Sequence, residues 1–517
     1  MTAPTGSTRK TTARKAAPAK ATVTTTRKSV VPANATVKAA RKAAAPAGPT
    51  VKTARKSAVP AKAARASTAR TSALKPATGI TRLPDLQPNR KLALPRSSER
   101  KLANGLTVIA IRRPAVPLVE LRLRVPFAKS DLARGNVLSQ TLFSGTPSRD
   151  TVEIAAELQA VGGALGASTD PDRLLISGNT LATGVPRLLE ILADVLEHAN
   201  YPKGEVATER ERIADRIQVM RSQPGHLARV ALLRRMYGSH PYAVQTPSPE
   251  EVRDVRPGGL RKLHGDRVVP NGATLVVVGD INADRTIDQV EAALVGWTGG
   301  GKPVVLPPIP ALKSGPIDLV DRPGSVQSSM RVALPAVGRT HPDFPALQLA
   351  NLIFGGYFSS RWTENIREDK GYTYGPHSGV EHSIAGSALV LSAEVATDVT
   401  APALLETWYE LGRLATVAPK NDELEQARQY VIGSLLLGMS TQAGLASLAS
   451  TYAGYGLRLD YLVPYAADLA KATRDDVAAA AAKYLAPAKA ATVILGDAEQ
   501  VEPSLELLGP VERGTVE

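Results

Sequence analysis

The chain has 517 residues, no cysteine and a formal net charge of +15. Its length exceeds what a single hydrophobic core supports and predicts two or three domains. Without cysteine, disulfide frameworks and thiolate metal sites are excluded. No stretch reaches the roughly 18 apolar residues of a membrane span, and no apolar segment typical of a secretory signal is visible. These features predict a cytoplasmic protein that does not associate with a membrane.

The positive charge is concentrated at the N-terminus. Residues 1–84 contain 18 Lys and Arg but no Asp or Glu, which leaves 45 basic and 48 acidic residues in the remainder. The background of Ala, Thr and Pro has too few apolar side chains to form a core, so residues 1–97 are predicted to be a disordered tail. Two roles stay open for it. It can neutralise nucleic-acid phosphates, or it can be a solubilising or partner-binding segment that lacks aromatic residues for stacking on bases.

A long internal repeat follows the tail. Arg113-Pro114 and Arg322-Pro323 each precede an apolar run that ends in a proline thirteen residues after the arginine. A β-branched run before Gly279-Asp280 returns before Gly496-Asp497, so the offsets are 209 and 217 residues. Each repeat begins with an alternating strand, continues with helices and ends with a strand. We therefore predict an α+β fold of two duplicated domains of roughly 210 residues, each a mostly antiparallel sheet packed with helices.

The domain limits follow from this repeat. The first domain is predicted at residues 98–298, a Gly/Pro-rich linker at 299–314 and the second domain at 315–517. Gly296–Lys302 has the spacing of a phosphate-binding loop, but Pro303 stands where Ser or Thr must bind Mg²⁺. The seven histidines lack the spacing that binds one metal ion from a single helix. Neither a nucleotide site nor a metal site is predicted.

A glycine turn, a short helix and a strand are predicted in the second domain. The turn is Gly355-Gly356, and a hydroxyl of Ser359-Ser360 is expected to cap the helix. Trp362 and Ile366, four residues apart, form one buried stripe on the helix. Lys370-Gly371 ends it, because glycine adopts the left-handed conformation and a cation suits the last turn.

An arginine and a tyrosine flank this reversal. Because the chain turns at Gly371, Arg367 and Tyr374 can come side by side, with Tyr372 and Tyr374 on one face of the next strand. A guanidinium next to a phenol can hold a peptide carbonyl or stabilise an oxyanion. In the alternative interpretation, Arg367 is a solvated helix cap and Tyr374 a core residue.

Two segments of the first domain carry a family resemblance. The opening Leu102–Val108 and the segment Leu142–Thr146, together with the duplicated halves, resemble the insulinase/pitrilysin-type zinc peptidases, the inverted zincins. The resemblance covers residues 98–500. It implies a fold in which two α+β domains form one half of a clamshell around an unfolded peptide.

The resemblance also identifies what the first domain lacks. In active members His-x-x-Glu-His lies directly before the Leu-Phe-x-Gly-Thr segment; the histidines bind zinc and the glutamate activates water. Here Asn136, Ser139 and Gln140 occupy these three positions, and we call them the replaced zinc motif. The family's third ligand is a glutamate on a later helix, and Glu209 lies in that region as an ordinary surface acid. No cofactor is therefore expected in this chain.

The second domain retains a different motif. The glycines and Phe-Ser-Ser-Arg of Gly355–Arg361, followed by Arg367 seven residues before Tyr374, resemble the paired Arg/Tyr motif of the family. In its two-subunit bacterial members, one chain carries zinc and the other supplies this pair. The resemblance implies a zinc-free, non-catalytic subunit of a heterodimeric metallopeptidase. Arg367 and Tyr374 would bind substrate at the zinc site of a homologous partner, with Gly355 and Gly356 in the substrate loop.

Other functions stay open. With no zinc site of its own, the chain cannot be assigned as an enzyme by itself. The alternative is a catalytically inactive scaffold or binding protein of the same fold, tethered to nucleic acid through residues 1–84.

Overall fold

The computed structural model describes residues 93–301 and 304–515. The predicted disorder of the basic tail and its contact with nucleic acid lie outside the described residues. The first described strand begins at Ser97, next to the predicted limit of the tail.

The structure describes twelve strands. They are β1 (Ser97–Lys101), β2 (Thr107–Arg112), β3 (Leu118–Pro126), β4 (Ala164–Thr169), β5 (Arg173–Leu181), β6 (Thr274–Gly279), β7 (Ile317–Asp321), β8 (Gln327–Pro335), β9 (His377–Ser383), β10 (Gly386–Ala396), β11 (Ala491–Gly496) and β12 (Val511–Gly514).

Sixteen α-helices are described. They are α1 (Leu132–Thr141), α2 (Thr151–Ala160), α3 (Val185–His198), α4 (Lys203–Arg221), α5 (Pro224–Tyr237), α6 (Pro249–Arg253), α7 (Pro257–Arg267), α8 (Ala283–Ala293), α9 (Phe344–Asn351), α10 (Arg361–Thr363), α11 (Thr400–Thr416), α12 (Asn421–Gly438), α13 (Gln442–Gly454), α14 (Leu462–Lys471), α15 (Arg474–Tyr484) and α16 (Ala498–Leu505). Two π-helical segments flank α10, Leu352–Gly356 and Glu364–Asp369. The 3₁₀ segments are Ala182–Gly184, Pro241–Ala243, Thr397–Val399, Leu459–Tyr461 and Pro487–Lys489.

The strands form two six-stranded mixed sheets with the same layout. Their orders are β1-β2-β6-β3-β5-β4 and β12-β7-β11-β8-β10-β9. Most neighbours are antiparallel; the parallel pairs are β2 with β6, β7 with β11 and β7 with β12. The two halves correspond strand for strand except at one outer edge. There the first sheet has β1, from the start of the described chain, and the second sheet has β12, from its end. The predicted α+β fold of two duplicated, mostly antiparallel halves is confirmed.

The central strands of both sheets are buried on both faces. Leu275–Val278 of β6 and all of β11 lie in the interior, as their continuous apolar sequences require. In β3, by contrast, Val119, Leu121 and Leu123 point into the first core, while the intervening residues are polar. The polar face of β3 is nevertheless covered by a helix of the other half.

Each half places one helix on the outer face of the other half's sheet. Helix α13 packs on β3 and β6 of the first sheet, and α5 packs on β8 and β11 of the second. Leu232 and Met236 of α5 form an apolar cluster with Val493 and Leu495 of β11. The two helices begin 218 residues apart, so they are equivalent elements of the repeat. The halves are interlocked by this exchange.

The two Arg-Pro steps of the sequence repeat anchor the exchanged helices. The Arg113 Nη2 donates to the carbonyl oxygen of Ser440 at 3.0 Å, two residues before α13. At the equivalent place the Arg322 Nη2 donates to the carbonyl of Ser222, also at 3.0 Å and two residues before α5. The repeat therefore extends to the hydrogen bonds that join the halves.

The predicted linker is partly anchored. Within its described residues 304–314 no regular structure forms, and Leu306, Ile309 and Leu312 pack against the apolar cluster below α5. The limits 98–298 and 315–517 stay predictions.

No single helix among the described residues is long and apolar enough to cross a membrane. One pair of helices, α12 and α13, reaches the required length and composition together, and it is bent by 107°.

Replacing Gln442 by Ala is expected to weaken the interlock. The Gln442 Nε2 is buried and donates to the carbonyls of Arg113, Val116 and Leu118 at 2.7, 3.0 and 3.1 Å. Its loss removes these buried hydrogen bonds between the halves and should lower the free energy of unfolding by about 1–3 kcal/mol. Urea denaturation followed by circular dichroism measures the change. The exposed Gln426→Ala on α12 is the control, expected to change it by less than about 0.5 kcal/mol.

Candidate functional site

Arg367 lies between two aromatic rings at the surface of the second half. Its guanidinium carbon is 4.4 Å from the ring centroid of Phe358 and 5.1 Å from that of Tyr374. Tyr374 is 88% exposed and Phe358 61% exposed, so both rings remain accessible to a ligand. The structure thus brings Arg367 and Tyr374 together across the reversal of the chain. Cation–π contact holds the guanidinium in place without occupying its hydrogen-bond donors.

Buried side chains fix the helix that carries Arg367. Trp362 and Ile366 are completely buried, as expected for the apolar stripe. The Trp362 ring stacks on Phe354 at 5.3 Å, and its Nε1 donates to Thr407 Oγ1 at 3.0 Å. These buried contacts therefore hold in place the helix that carries the surface arginine.

Glu368 is the acidic neighbour of this arginine. The Arg367 Nε lies 3.3 Å from the Glu368 Oε1, and the Glu368 side chain is about half exposed. An ion pair exposed to this degree contributes little binding energy and is readily exchanged for another acceptor. The guanidinium is available for a peptide carbonyl.

The predicted glycine turn is wrong in its geometry. Gly355 and Gly356 end a π-helical segment that continues α9. A Cβ on Gly355 would lie 2.9 Å from both Trp362 Cε3 and Ser378 Oγ, so close packing requires glycine there. The direct contact of a substrate with these two glycines stays a prediction.

The predicted serine cap is only partly observed. Ser360 occupies the N-cap position, but its hydroxyl contacts Thr363 Oγ1 at 2.9 Å and makes no bond to a backbone N–H. The helix ends as predicted at Lys370-Gly371, where Gly371 has a φ of 67° and its N–H donates to the Arg367 carbonyl at 3.0 Å.

The predicted strand after Gly371 is also wrong. Thr373 forms an isolated bridge with Val395, and β9 begins only at His377. Tyr372 packs partly buried against the second core, whereas Tyr374 points into solvent, so the two rings do not share one environment. The sequence pattern assigns no role to Phe358. Its place in the motif beside the two glycines was the available signal, but its contact with Arg367 crosses a loop.

The replaced zinc motif lies on α1 and is occupied by hydrogen bonds to the backbone. Asn136 Nδ2 donates to the Leu132 carbonyl at 2.8 Å, and Ser139 Oγ donates to the Asn136 carbonyl at 2.9 Å. Gln140 Nε2 contacts the carbonyl of Ala167 at 3.5 Å. These amides and this hydroxyl lack the imidazole and carboxylate ligands that zinc requires, so the residues do not fit the ion.

The remaining groups do not supply a metal site. Glu209 pairs with Arg212 on α4, but its side chain is only 16% exposed, so it is not the freely exposed surface acid that was expected. Among the described residues no group of three His, Cys, Asp or Glu side chains is arranged to hold a metal ion.

His382 on β9 is held neutral. Burial lowers its pKa to about 3, and repulsion from Arg339 adds to the shift. Its ring meets Phe344 edge-on at 5.2 Å, and its Nδ1 contacts Ser387 Oγ at 2.7 Å. The packing of this ring favours the uncharged form.

The purified chain is expected to contain less than about 0.1 zinc atom per molecule, because three ligands are needed and none stands in the replaced motif. Inductively coupled plasma mass spectrometry measures the content. A homologue with an intact His-x-x-Glu-His motif, prepared in the same way, is the positive control. Stoichiometric zinc in this chain would contradict the expectation.

His382 is expected to make stability depend on pH. Its folded pKa lies below its unfolded value of roughly 6.5, so acidification protonates the unfolded chain first and stability falls between these pKa values. From pH 7 to pH 5.5 the unfolding free energy of the wild type should fall by about 1 kcal/mol more than that of His382→Gln. Denaturation at several pH values measures this difference, and parallel curves would contradict it.

Comparison with known proteins agrees with this architecture. The family model described as Insulinase (Peptidase family M16) matches residues 135–250, and the model described as Peptidase M16 inactive domain matches residues 255–431. Together they cover more than half of the chain.

Relatives extend the match to most of both halves. An uncharacterized zinc protease of Mycobacterium tuberculosis is 24% identical over 367 residues, which are 69% of this chain and 83% of the relative. Another, YmxG of Bacillus subtilis, is 24% identical over 350 residues, 65% of this chain and 83% of the relative.

Solved structures share the fold. A peptidase M16 inactive domain from Pseudomonas fluorescens has a TM-score of 0.71 at 23% identity, over 77% of this chain and 98% of that one. A protease from Helicobacter pylori has a TM-score of 0.72 at 18% identity, over 78% and 100%. The matches to both halves show that this chain belongs to the insulinase (M16) family of peptidases.

Proposed function

We propose that the chain is the zinc-free subunit of a two-chain insulinase-type metallopeptidase that hydrolyses peptides. One contrast carries the proposal: Arg367 and Tyr374 form an exposed pair, while Asn136, Ser139 and Gln140 offer no zinc ligand. The partner would be a homologous chain with an intact zinc motif. The relatives named zinc proteases support peptide hydrolysis as the reaction.

The pair suits the recognition of a peptide bond. An arginine is always charged and presents several N–H donors, and the phenol of Tyr374 adds an O–H donor. Donors placed beside a reacting carbonyl stabilise the charge that develops on its oxygen. Phe358 would act as a positioning residue, because its ring limits the movement of the Arg367 guanidinium.

The first sheet also has an open edge with which an extended peptide can pair. β4 is the terminal strand of the first sheet and pairs only with β5 among the described strands. Because β4 has a neighbour on one side only among the described strands, backbone N–H and C=O groups on its other side are left for an added strand. Main-chain pairing of this kind gives affinity with little dependence on sequence, as an unfolded substrate requires.

An inactive scaffold of the same fold is the alternative. It would form a stable complex with its partner without any gain in hydrolysis. The role of residues 1–84 on nucleic acid and the cytoplasmic location stay predictions from composition.

The proposal is tested by mixing the full-length chain with a zinc-bearing homologue and measuring cleavage of a fluorogenic peptide. Arg367→Ala and Tyr374→Phe should each lower kcat/KM of the mixture by about tenfold or more, because a donor to the reacting carbonyl is lost. The controls are Arg285→Ala and Tyr409→Phe, exposed residues on α8 and α11, expected to stay within about twofold of wild type.

Complex formation is measured in parallel by analytical ultracentrifugation. Rates that do not respond to either substitution would refute the proposed role of the pair. A stable complex with no hydrolysis above that of the zinc-bearing chain alone would favour the scaffold.

A further inference from the structure

A cavity of about 250 Å³ lies where the two halves meet. Its walls come from β3, the turn between β4 and β5, the strand β9 and the end of α13. Arg124, Asp172, Tyr237, Glu381 and Tyr455 are among the residues that line it. We call this cavity the seam pocket.

Arg124 is unusual among the residues that line the seam pocket. It is only 9% exposed, yet among the described residues no carboxylate lies within salt-bridge distance and no acceptor bonds to its guanidinium. Burial, with repulsion from Arg173, lowers its pKa. A Cβ on Gly454 of α13 would overlap the guanidinium, so the glycine leaves room for the charge. A buried cation without a hydrogen-bonded counter-charge is strongly unfavourable.

The other charges of the seam pocket are paired with one another. Arg173 Nε is 2.8 Å from the Asp170 carboxylate. Arg229 makes two bonds to Glu381, at 2.6 and 2.9 Å. These pairs leave Arg124 as the cation that has no direct partner among the described residues.

The nearby Asp172 is also occupied. Its carboxylate accepts hydrogen bonds from the Tyr242 hydroxyl and from the Ile384 N–H. The Tyr237 hydroxyl, by contrast, has no hydrogen-bond partner in the described part of the chain, although the ring is buried. The seam pocket therefore presents two unused donors, the guanidinium of Arg124 and this phenol.

The duplicated architecture does not require an arginine at this place. The equivalent residue of β8, 209 positions on, is Ala333, fully buried in the apolar cluster below α5. Two residues earlier on these strands, the equivalent positions of the two halves are Arg122 and Arg331. Unlike Arg124, each of these arginines forms a salt bridge with an acid of its own half. Arg124 is therefore a departure from the repeat, and a ligand that accepts hydrogen bonds from its guanidinium would offset the cost of burying it.

We propose that the seam pocket binds a carboxylate group between Arg124 and Tyr237. A carboxylate is planar and presents two oxygens that match the guanidinium fork. The pocket also contains the carboxylates of Asp170, Asp172 and Glu381, so a ligand with one negative charge is repelled less than a doubly charged phosphate. The inference concerns this chain alone and does not depend on a zinc-bearing partner.

The carboxylate has two sources with the same chemistry. It is either a free small acid or the carboxylate of a peptide. A second cavity beside Asn136 of the replaced zinc motif shares Asp170, Pro171 and Gln245 with the seam pocket. This shared wall connects the seam pocket to the face where a peptide would lie.

Saturation-transfer NMR on the full-length chain tests the proposal, with N-acetylglycine as the probe and N-acetylglycinamide as its neutral analogue at constant ionic strength. The acid should give a signal about fivefold or more above the amide. Arg124→Met should reduce it to the level of the amide, while Arg285→Met, an exposed arginine on α8, should leave it unchanged. Equal signals for acid and amide, or full binding by Arg124→Met, would overturn the proposal.

Stability and shape are controlled separately. Arg124→Met replaces a buried charge by an apolar side chain of similar length, so its melting temperature without ligand should equal or exceed that of the wild type. Tyr237→Phe preserves the ring, removes only the unused hydroxyl and should weaken the signal about twofold or more. An undiminished signal in Tyr237→Phe contradicts the assignment of that donor.

Competition assigns the source of the carboxylate. A hexapeptide with a free C-terminus that displaces N-acetylglycine, when its amidated form does not, identifies the peptide carboxylate as the ligand. Displacement by acetate alone identifies a free small acid. Preferential displacement by inorganic phosphate would refute a carboxylate site.

Discussion

The exchange of α5 and α13 between the halves is the constraint on which the rest of the structure depends. A sheet with only one covered face would leave the other exposed to water, and here each half covers the other's outer face. The equivalent bonds from Arg113 to the Ser440 carbonyl and from Arg322 to the Ser222 carbonyl fix both helices in the same register. Because neither half completes its own layers, the repeat forms one compact unit, and a buried seam between the halves follows.

The presence of two similar, mostly antiparallel sheets could be predicted from sequence, because strand alternation and the Arg-Pro steps recur roughly 210 residues apart. The exchange of helices could not be predicted from sequence. An amphipathic pattern indicates only that one face of a helix is buried, and not which sheet that face packs on. For the same reason Arg124, a polar residue on an alternating strand, reads as solvent-facing although α13 covers it. The π-helical end at Gly355 could not be predicted, because the need for glycine there comes from Trp362 and Ser378, tertiary contacts that the local sequence does not reveal.

The Arg/Tyr site was more accessible to sequence reasoning because its geometry is local. A helix stop at Gly371 reverses the chain between Arg367 and Tyr374, so spacing alone brings the two side chains together. The isolated bridge at Thr373 and the contact of Phe358 depend on packing across a loop and were missed. What the pair does depends on a second molecule, which neither the spacing nor the geometry identifies.

The two halves share one architecture but differ in the side chains at their candidate sites. In the first half, Asn136 and Ser139 of the replaced zinc motif donate to backbone carbonyls of α1, so their polar groups are satisfied within the helix. In the second half, Arg367 keeps its charge at the surface on a base of buried aromatic side chains. A guanidinium that is stacked between exposed rings adds little to the stability of its own chain. At the surface, Arg367 is within reach of another molecule, whereas Arg124 places a similar charge inside the seam, in a cavity of about 250 Å³.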